Sequence, residues 1–369
     1  MAPAADGCAT DVDAIIVPNA RPAPAVDHAM ELAAALGSAL VVLCSKRSSA
    51  DAVTAVARDR NIELIAVDVG KIGGDIFPRF ETSTLLSGTR FEVRADTSFK
   101  RNLGLLLSQA IGWQRVVFLD DDIRIPDPED LRVAAGLTDS HAAVGLCLEG
   151  NPDHSVVCHA YREAGGAQDM FVGGGALAVG VRAMTSFFPK IYNEDWFFLV
   201  GDDGALLPIT SVGTAFQGAY DPYADNRRAR TEELGDCLAE GLFWLLDNGR
   251  SAADADVGFW RRALERRADF ITDVVSMVRR SCDDPSRRSR MLSSLKAARG
   301  QCLLIEPELC VRFLTAWRSD RTAWSDYVQA RCVIDLGREY GSRFDPEKVL
   351  ASLGLTHAST VMRRPRPDS

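Results

Sequence analysis

The chain has 369 residues, 47% of them hydrophobic and 25% charged, and 51 Asp and Glu against 42 Lys and Arg give a formal net charge of -9. This is ordinary globular composition, long enough for one large domain or two, and so acidic a total excludes a nucleic-acid surface as the main business of the protein. Nine cysteines without a C-x-x-C pair read as reduced, mostly buried thiols of a cytoplasmic protein, and the sequence shows neither a signal peptide nor an apolar stretch long enough to span a membrane.

In chain order, Asp13 to Pro18 is a short apolar strand ending at proline. Ala25 to Leu36 follows with helical periodicity and stops at Gly37. Ala39 to Leu43 reads as a second strand, Ser49 to Asp59 as a second helix, and Ile62 to Val67 as a third strand. Short, wholly apolar strands joined through helices are the mark of a mostly parallel α/β sheet covered on both faces. Gly70 to Asp96 then loses its period, with glycines at 70, 73, 74 and 88, and is expected to be an irregular loop. A helix resumes from about Ser98 to Ile111 and leads into a further strand, Val116-Val117-Phe118-Leu119.

That strand stops in three consecutive carboxylates, Asp120, Asp121 and Asp122. Three anions at a buried strand end repel one another, and a cation or a set of donors between them recovers the cost. A divalent metal is the expectation; an acidic turn is the plain alternative. In such a sheet, ligands sit outside the carboxyl ends of the strands. Pro18, Asn19 and Arg21, and Cys44-Ser45-Lys46, lie at two other strand ends on the same rim.

Two later segments carry chemistry. Phe171-Val172 leads into Gly173-Gly174-Gly175, where a backbone can approach a ligand closely or take positive φ. Asn193-Glu194-Asp195-Trp196 follows, with adjacent carboxylates beside an aromatic ring. His141, His154 and His159 precede or flank the glycines, and Asp202, Asp203, Asp221 and Asp225 are further carboxylates, each with the context of a turn residue.

Beyond Arg228 the strand signals fade. Thr231 to Leu246, Val257 to Arg280, Arg287 to Ala298, Glu308 to Trp317 and Thr322 to Tyr340 read as amphipathic helices, ending in a basic tail at Arg363-Arg364-Pro365-Arg366-Pro367. Arginine pairs at 261/262, 266/267, 279/280 and 287/288 are expected to form a solvated face, with binding of an anionic partner as the sharper alternative. The organisation expected is a catalytic domain over residues 1–228 and a C-terminal helical domain over 229–369, which packs on the first and shapes the acceptor site or a homodimer.

The order of strand-Pro, helix, strand, helix, strand, then Lys100-Arg101-Asn102-Leu103-Gly104, then FLDDD, then the glycines and the Glu-Asp pair resembles the GT-A nucleotide-sugar glycosyltransferases, closest in pattern to the family 2 enzymes. The likeness covers roughly residues 13 to 225. It implies a Rossmann-like GT-A sheet and a metal-dependent transfer of sugar from a nucleoside-diphosphate sugar to the hydroxyl of a small-molecule or glycan acceptor, with inversion.

Position by position, Asp120 and Asp122 resemble the D-x-D carboxylates that meet the ribose and hold Mg2+ or Mn2+ on the diphosphate, with Asp121 as an alternative ligand. Such cations take hard oxygen ligands and leave part of their shell to substrate phosphates. Arg101 resembles the family arginine near the nucleotide, Asp195 the base of inverting transfer, and Gly173, Gly174, Gly175, Glu194 and Trp196 the acceptor side. The family's base-gripping Asp after the second strand is absent, with Cys44-Ser45 in its place, which leaves Ser45 and Asp68 for the nucleotide. Two rival readings are a sugar-phosphate nucleotidyltransferase, faintly suggested by Gly88-Thr89-Arg90, and a non-catalytic nucleotide-sugar binding protein on the same fold.

Overall fold

The computed structural model describes residues 9–150, 155–167, 172–201, 203–331 and 345–364. The strands are β1 (Ala14–Asn19), β2 (Ala39–Cys44), β3 (Glu63–Asp68), β4 (Arg115–Leu119), β5 (Ile123–Arg124), β6 (Ala143–Gly150), β7 (Ala176–Gly180), β8 (Ile209–Gln217) and β9 (Ser359–Met362). The helices are α1 (Asp27–Leu36), α2 (Ala50–Ala57), α3 (Glu81–Leu86), α4 (Thr97–Ile111), α5 (Glu129–Leu137), α6 (Val156–Glu163), α7 (Glu194–Phe198), α8 (Asn226–Asp247), α9 (Val257–Ser281), α10 (Pro285–Cys302), α11 (Pro307–Gln329) and α12 (Pro346–Ser352).

One nine-stranded sheet runs in the order β5-β8-β6-β7-β4-β1-β2-β3-β9. β1 to β4 are mutually parallel, as their apolar runs require, and β6 and β8 run the same way. β5, β7 and β9 are antiparallel to their neighbours. Successive strand residues point to opposite faces, so both faces are apolar. Ile15, Val17, Leu40 and Val42 pack with α1, α2 and α5 through Met30, Val53 and Leu131. Ile16, Val41 and Leu43 pack on the other face with α4 and with side chains as far along the chain as Trp260, Phe313 and Leu355.

The strand order reverses between β1 and β4. β1 pairs with β2 along its whole length but with β4 only through Ala14, Ile15 and Ile16. Pro18 has no N–H to give a second neighbour, so the two strands part before their carboxyl ends. The crevice between them is the place where a doubly wound sheet receives ligands.

Several sequence expectations change on folding. Gly37 does close α1, at φ 70. The irregular segment over 70–96 contains a short helix, α3. The helices expected over 308–317 and 322–340 are one continuous α11, and the end expected at Tyr340 lies outside the described residues. The tail returns to the sheet: β9 pairs antiparallel with β3, although Pro365, Arg366 and Pro367 lie outside the described residues. The arginine pairs are not all solvated, because Arg267 is buried. The described cysteines are free thiols, five of them buried. No helix among the described residues is long and apolar enough to cross a membrane.

Candidate active site

The site is built from the Arg101-Asn102-x-Gly104 turn of α4 upward. A Cβ on Gly104 would lie 2.8 Å from Ile16 and 3.0 Å from Phe118, so the glycine lets α4 sit directly on β1 and β4. Two residues earlier, the Asn102 amide both donates to the Phe188 carbonyl (2.9 Å) and accepts from the Phe188 N–H (2.8 Å), tying α4 to the segment that leads into α7. Between these anchors Arg101, 4% exposed, reaches into the cleft. Its Nη1 donates to Glu194 Oε1 at 3.0 Å and its Nη2 to Asp120 Oδ1 and Oδ2 at 3.2 and 3.3 Å.

Antiparallel pairing of β7 with β4 brings the glycines to the same place, and the Asp120 N–H donates to the Gly175 carbonyl at 2.8 Å. The three glycines meet the three charged groups in turn. A Cβ at 173 would stand 3.8 Å from Asp195 Oδ2, one at 174 would stand 2.4 Å from Arg101 Nη1, and one at 175 would stand 3.5 Å from Asp120 Oδ2. Only at 174 is a side chain sterically barred. The positive φ expected for this segment is not found, because none of the three appears among the positive-φ glycines. Close approach is their physical reason. Phe171 and His154 lie outside the described residues.

Asp195 is held at both oxygens, Oδ2 by the Gly174 N–H at 2.6 Å and Oδ1 by the Trp196 N–H at 3.0 Å. Glu194 faces the other way, into Arg101. Burial, opposed by Arg101, pushes the Glu194 carboxyl up to about 7. Burial also works against the Arg101 charge, but Asp120, Glu194 and Asp195 outweigh it and hold the guanidinium protonated. Trp196 packs against Phe243 of α8, with ring centroids 4.8 Å apart.

Across the crevice, Arg21 covers the other two carboxylates, with Nη2 2.9 Å from Asp122 Oδ2 and Nε 3.4 Å from Asp121 Oδ1. Asp121 also accepts from the Ala20 N–H at 3.3 Å, and burial raises its carboxyl above the ordinary range. The repulsion that the sequence poses is therefore met by two arginines, one from each side. Arg21 is 47% exposed and Arg101 5% by side chain, so the first can leave its partners and the second is fixed.

The first and second strand ends are joined by a group that sequence reasoning passed over. Lys100 is 1% exposed, and its Nζ donates to the Asn19 carbonyl (2.9 Å) and Ser45 Oγ (2.7 Å) and pairs with Asp96 (3.2 Å). Burial lowers its affinity for the proton against the pull of Asp96. Ser45 is thus engaged with Lys100, and Asn19, fully buried, bonds Ser48. Asp68 accepts from the Ala50 N–H that opens α2 (2.7 Å) and pairs with Lys71 (2.8 Å). The signal for Lys100 was its place one residue before Arg101, on the buried side of α4.

The remaining sequence candidates stand apart. His159 is buried against Tyr220, and His141 bonds Ser140. Asp203, Asp221 and Asp225 each accept a nearby backbone N–H in a turn or cap, and Asp202 lies outside the described residues. Gly88-Thr89-Arg90 forms the turn after α3 and not the turn after β1.

Oxygen donors for a divalent cation are present at Asp120 and Asp122, whose side chains are 34% and 20% exposed toward the cleft. They are hard ligands, too few to enclose an ion by themselves, which fits a cation that completes its shell with phosphate oxygens. The described residues hold one tighter group of metal-type ligands, Glu233, Cys237 and Cys302, but both oxygens of Glu233 are already taken by Arg267.

No family model matches the sequence, and no curated protein matches it. Among solved structures, the chain is similar to the mannosyltransferase PcManGT from Pyrobaculum calidifontis, determined in complex with GDP-Man and Mn2+, at 15% identity and a TM-score of 0.45, over 82% of this chain and 89% of that one.

Proposed function

We propose that the protein is a GT-A-type glycosyltransferase that moves a sugar from a nucleoside-diphosphate sugar to an acceptor hydroxyl with inversion. The observation that carries this reading is the convergence, at the β1/β4 crevice, of Asp120 and Glu194 on one buried arginine, with Asp195 held beside them by the glycine turn.

The nucleotide enters over Asn19, Ser45 and Asp68, where Lys100 and Asp96 order the rim. Arg21 exchanges Asp121 and Asp122 for the diphosphate, and Asp120 and Asp122 are the residues that would hold Mg2+ or Mn2+. When bound, that cation supplies electrostatic stabilisation of charge growing on the leaving diphosphate. Arg101 works from below, fixing Asp120 and Glu194, so direct contact with the diphosphate falls to Arg21. Glu194 is committed to Arg101, which leaves Asp195 to take the acceptor proton, with Gly173, Gly174, Gly175 and Trp196 bounding the acceptor side. General-base help of this kind is worth about 10^2 to 10^4 in rate.

Asp195→Asn tests the assignment, with GDP-mannose and UDP-glucose as donor probes. Turnover should fall about 10^2-fold or more while nucleotide binding stays near that of the parent. An equal loss of donor affinity would move Asp195 to the nucleotide side, and retention of anomeric configuration in the product, read by NMR, would remove the single-displacement role.

A further inference from the structure

We propose that Gly235 and Asp236 of α8 are positioning residues for Asp195, so that the helices after residue 228 set the geometry of the acceptor side. The inference rests on the reading of Asp195 as the base. α7, which carries Asp195, has five residues, far too few to fix its own direction. Its N-cap, Asn193, has φ 62 and ψ 35. Among the described residues only Lys46 shares that left-handed conformation without being glycine, and such a conformation persists where the surroundings over-determine it.

Two contacts from α8 supply that determination. The Asn193 amide donates to Asp236 Oδ1 at 2.9 Å, while Asp236, 2% exposed, accepts from Arg267 Nη2 on Oδ2 at 2.6 Å. Arg267 is clamped in turn by Glu233 at 2.9 Å and Glu240 at 2.7 Å, which makes Asp236 an immobile acceptor. One residue earlier, a Cβ on Gly235 would fall 2.1 Å from the Tyr192 carbonyl oxygen and 2.7 Å from its carbon. Residue 235 is therefore the point where the backbone at 192 rests on α8. From Tyr192 and Asn193 the chain turns directly into Glu194 and Asp195, so a shift at this corner is delivered to the carboxylate.

The Gly174 N–H, whose acceptor is Asp195 Oδ2, reports the position of that carboxylate without any substrate. We would measure its hydrogen exchange by NMR in the full chain for Gly235→Ala, Asn193→Ala and Asn193→Gly. The Asp120 N–H, bonded to Gly175, serves as the reference amide. Gly235→Ala should speed exchange at Gly174 about tenfold or more relative to Asp120. That direction opposes the helix propensity of alanine, which would by itself stabilise α8. Asn193→Ala should do the same, and Asn193→Gly, which keeps the left-handed backbone but loses the bond to Asp236, should fall between it and the parent. In turnover, kcat should drop with little change in donor KM.

Unchanged exchange at Gly174 in Gly235→Ala and Asn193→Ala, or equal acceleration at Gly174 and Asp120, would overturn the proposal. Asn193→Gly keeps the test open should either alanine variant fail to fold. Failure of the parent protein to bind any nucleoside diphosphate would count against the glycosyltransferase reading and leave the exchange result to judge the positioning on its own.

Discussion

At Gly174 a hydrogen atom separates a working ion cluster from a broken one. A Cβ there would press on Arg101 Nη1 at 2.4 Å, and the guanidinium has no slack while it holds Glu194 and Asp120. Gly174→Ala should lower unfolding stability by about 3 kcal/mol in a urea titration, overpacking and a disturbed buried pair together. Gly173→Ala, with 3.8 Å to its nearest neighbour, should be close to neutral in the same titration. Glu194 makes a pH prediction. Its carboxyl is raised to about 7 by burial, so between the unfolded carboxylate range near 4.5 and pH 7 the native state binds more protons than the unfolded one. Stability must then fall as pH rises through that window. Glu194→Gln should flatten its share of the decline in melting temperature between pH 5 and 8, leaving the shares of Glu233, raised to about 7, and Glu232, raised to about 8. Asp120, Asp121 and Asp122 were legible in the sequence as a charge problem that demands a partner, whereas Arg101, Glu194 and Asp195 were singled out through the family resemblance. Lys100 was not, since a lysine beside an arginine reads as solvent-facing until the helix phase on the sheet is known.

Elements were legible in proportion to the apolar surface each must bury. β1 to β4 and α8 to α10 bury much and announced themselves, whereas α11 read as two helices. α3 and β9 are short and owe their existence to partners far away in sequence. The α3 N-terminus is satisfied by Asp320 of α11, which accepts from the Glu81 N–H (2.6 Å), the Thr82 N–H (2.9 Å) and the Thr82 hydroxyl (2.6 Å). No local pattern foretells a cap supplied from so distant a residue. Asp320→Ala leaves those donors orphaned and should cost about 2 kcal/mol by chemical denaturation. Asp320→Asn, which keeps an acceptor, should cost less. β9 covers the edge of β3, which would otherwise offer unpaired backbone groups to another chain. The glycine turn was legible as a site but not in its reason, because only the antiparallel return of β7 along β4 shows which charged group each glycine must admit.

Taken as a whole molecule, the sheet and the late helices share one hydrophobic core. The core on one face of the sheet runs without a break from Ala14 to Leu355. The boundary expected near Arg228 falls at the first turn of α8, whose Gly235 and Asp236 touch the segment carrying Asp195. Strand order reverses at β1/β4, the crevice proposed above for the donor, and Arg21 and Arg101 pair with the carboxylates at its edge. The central claim is that this crevice takes a nucleoside diphosphate together with a divalent cation. Calorimetric titration of GDP and UDP, with and without Mn2+, into the parent and Asp122→Asn proteins tests it most directly. The account predicts that Mn2+ tightens binding of at least one of the two to the parent, and that Asp122→Asn folds as the parent does but loses the tightening. Absence of binding by either nucleotide in the presence of Mn2+, or an undiminished metal effect in Asp122→Asn, would contradict it.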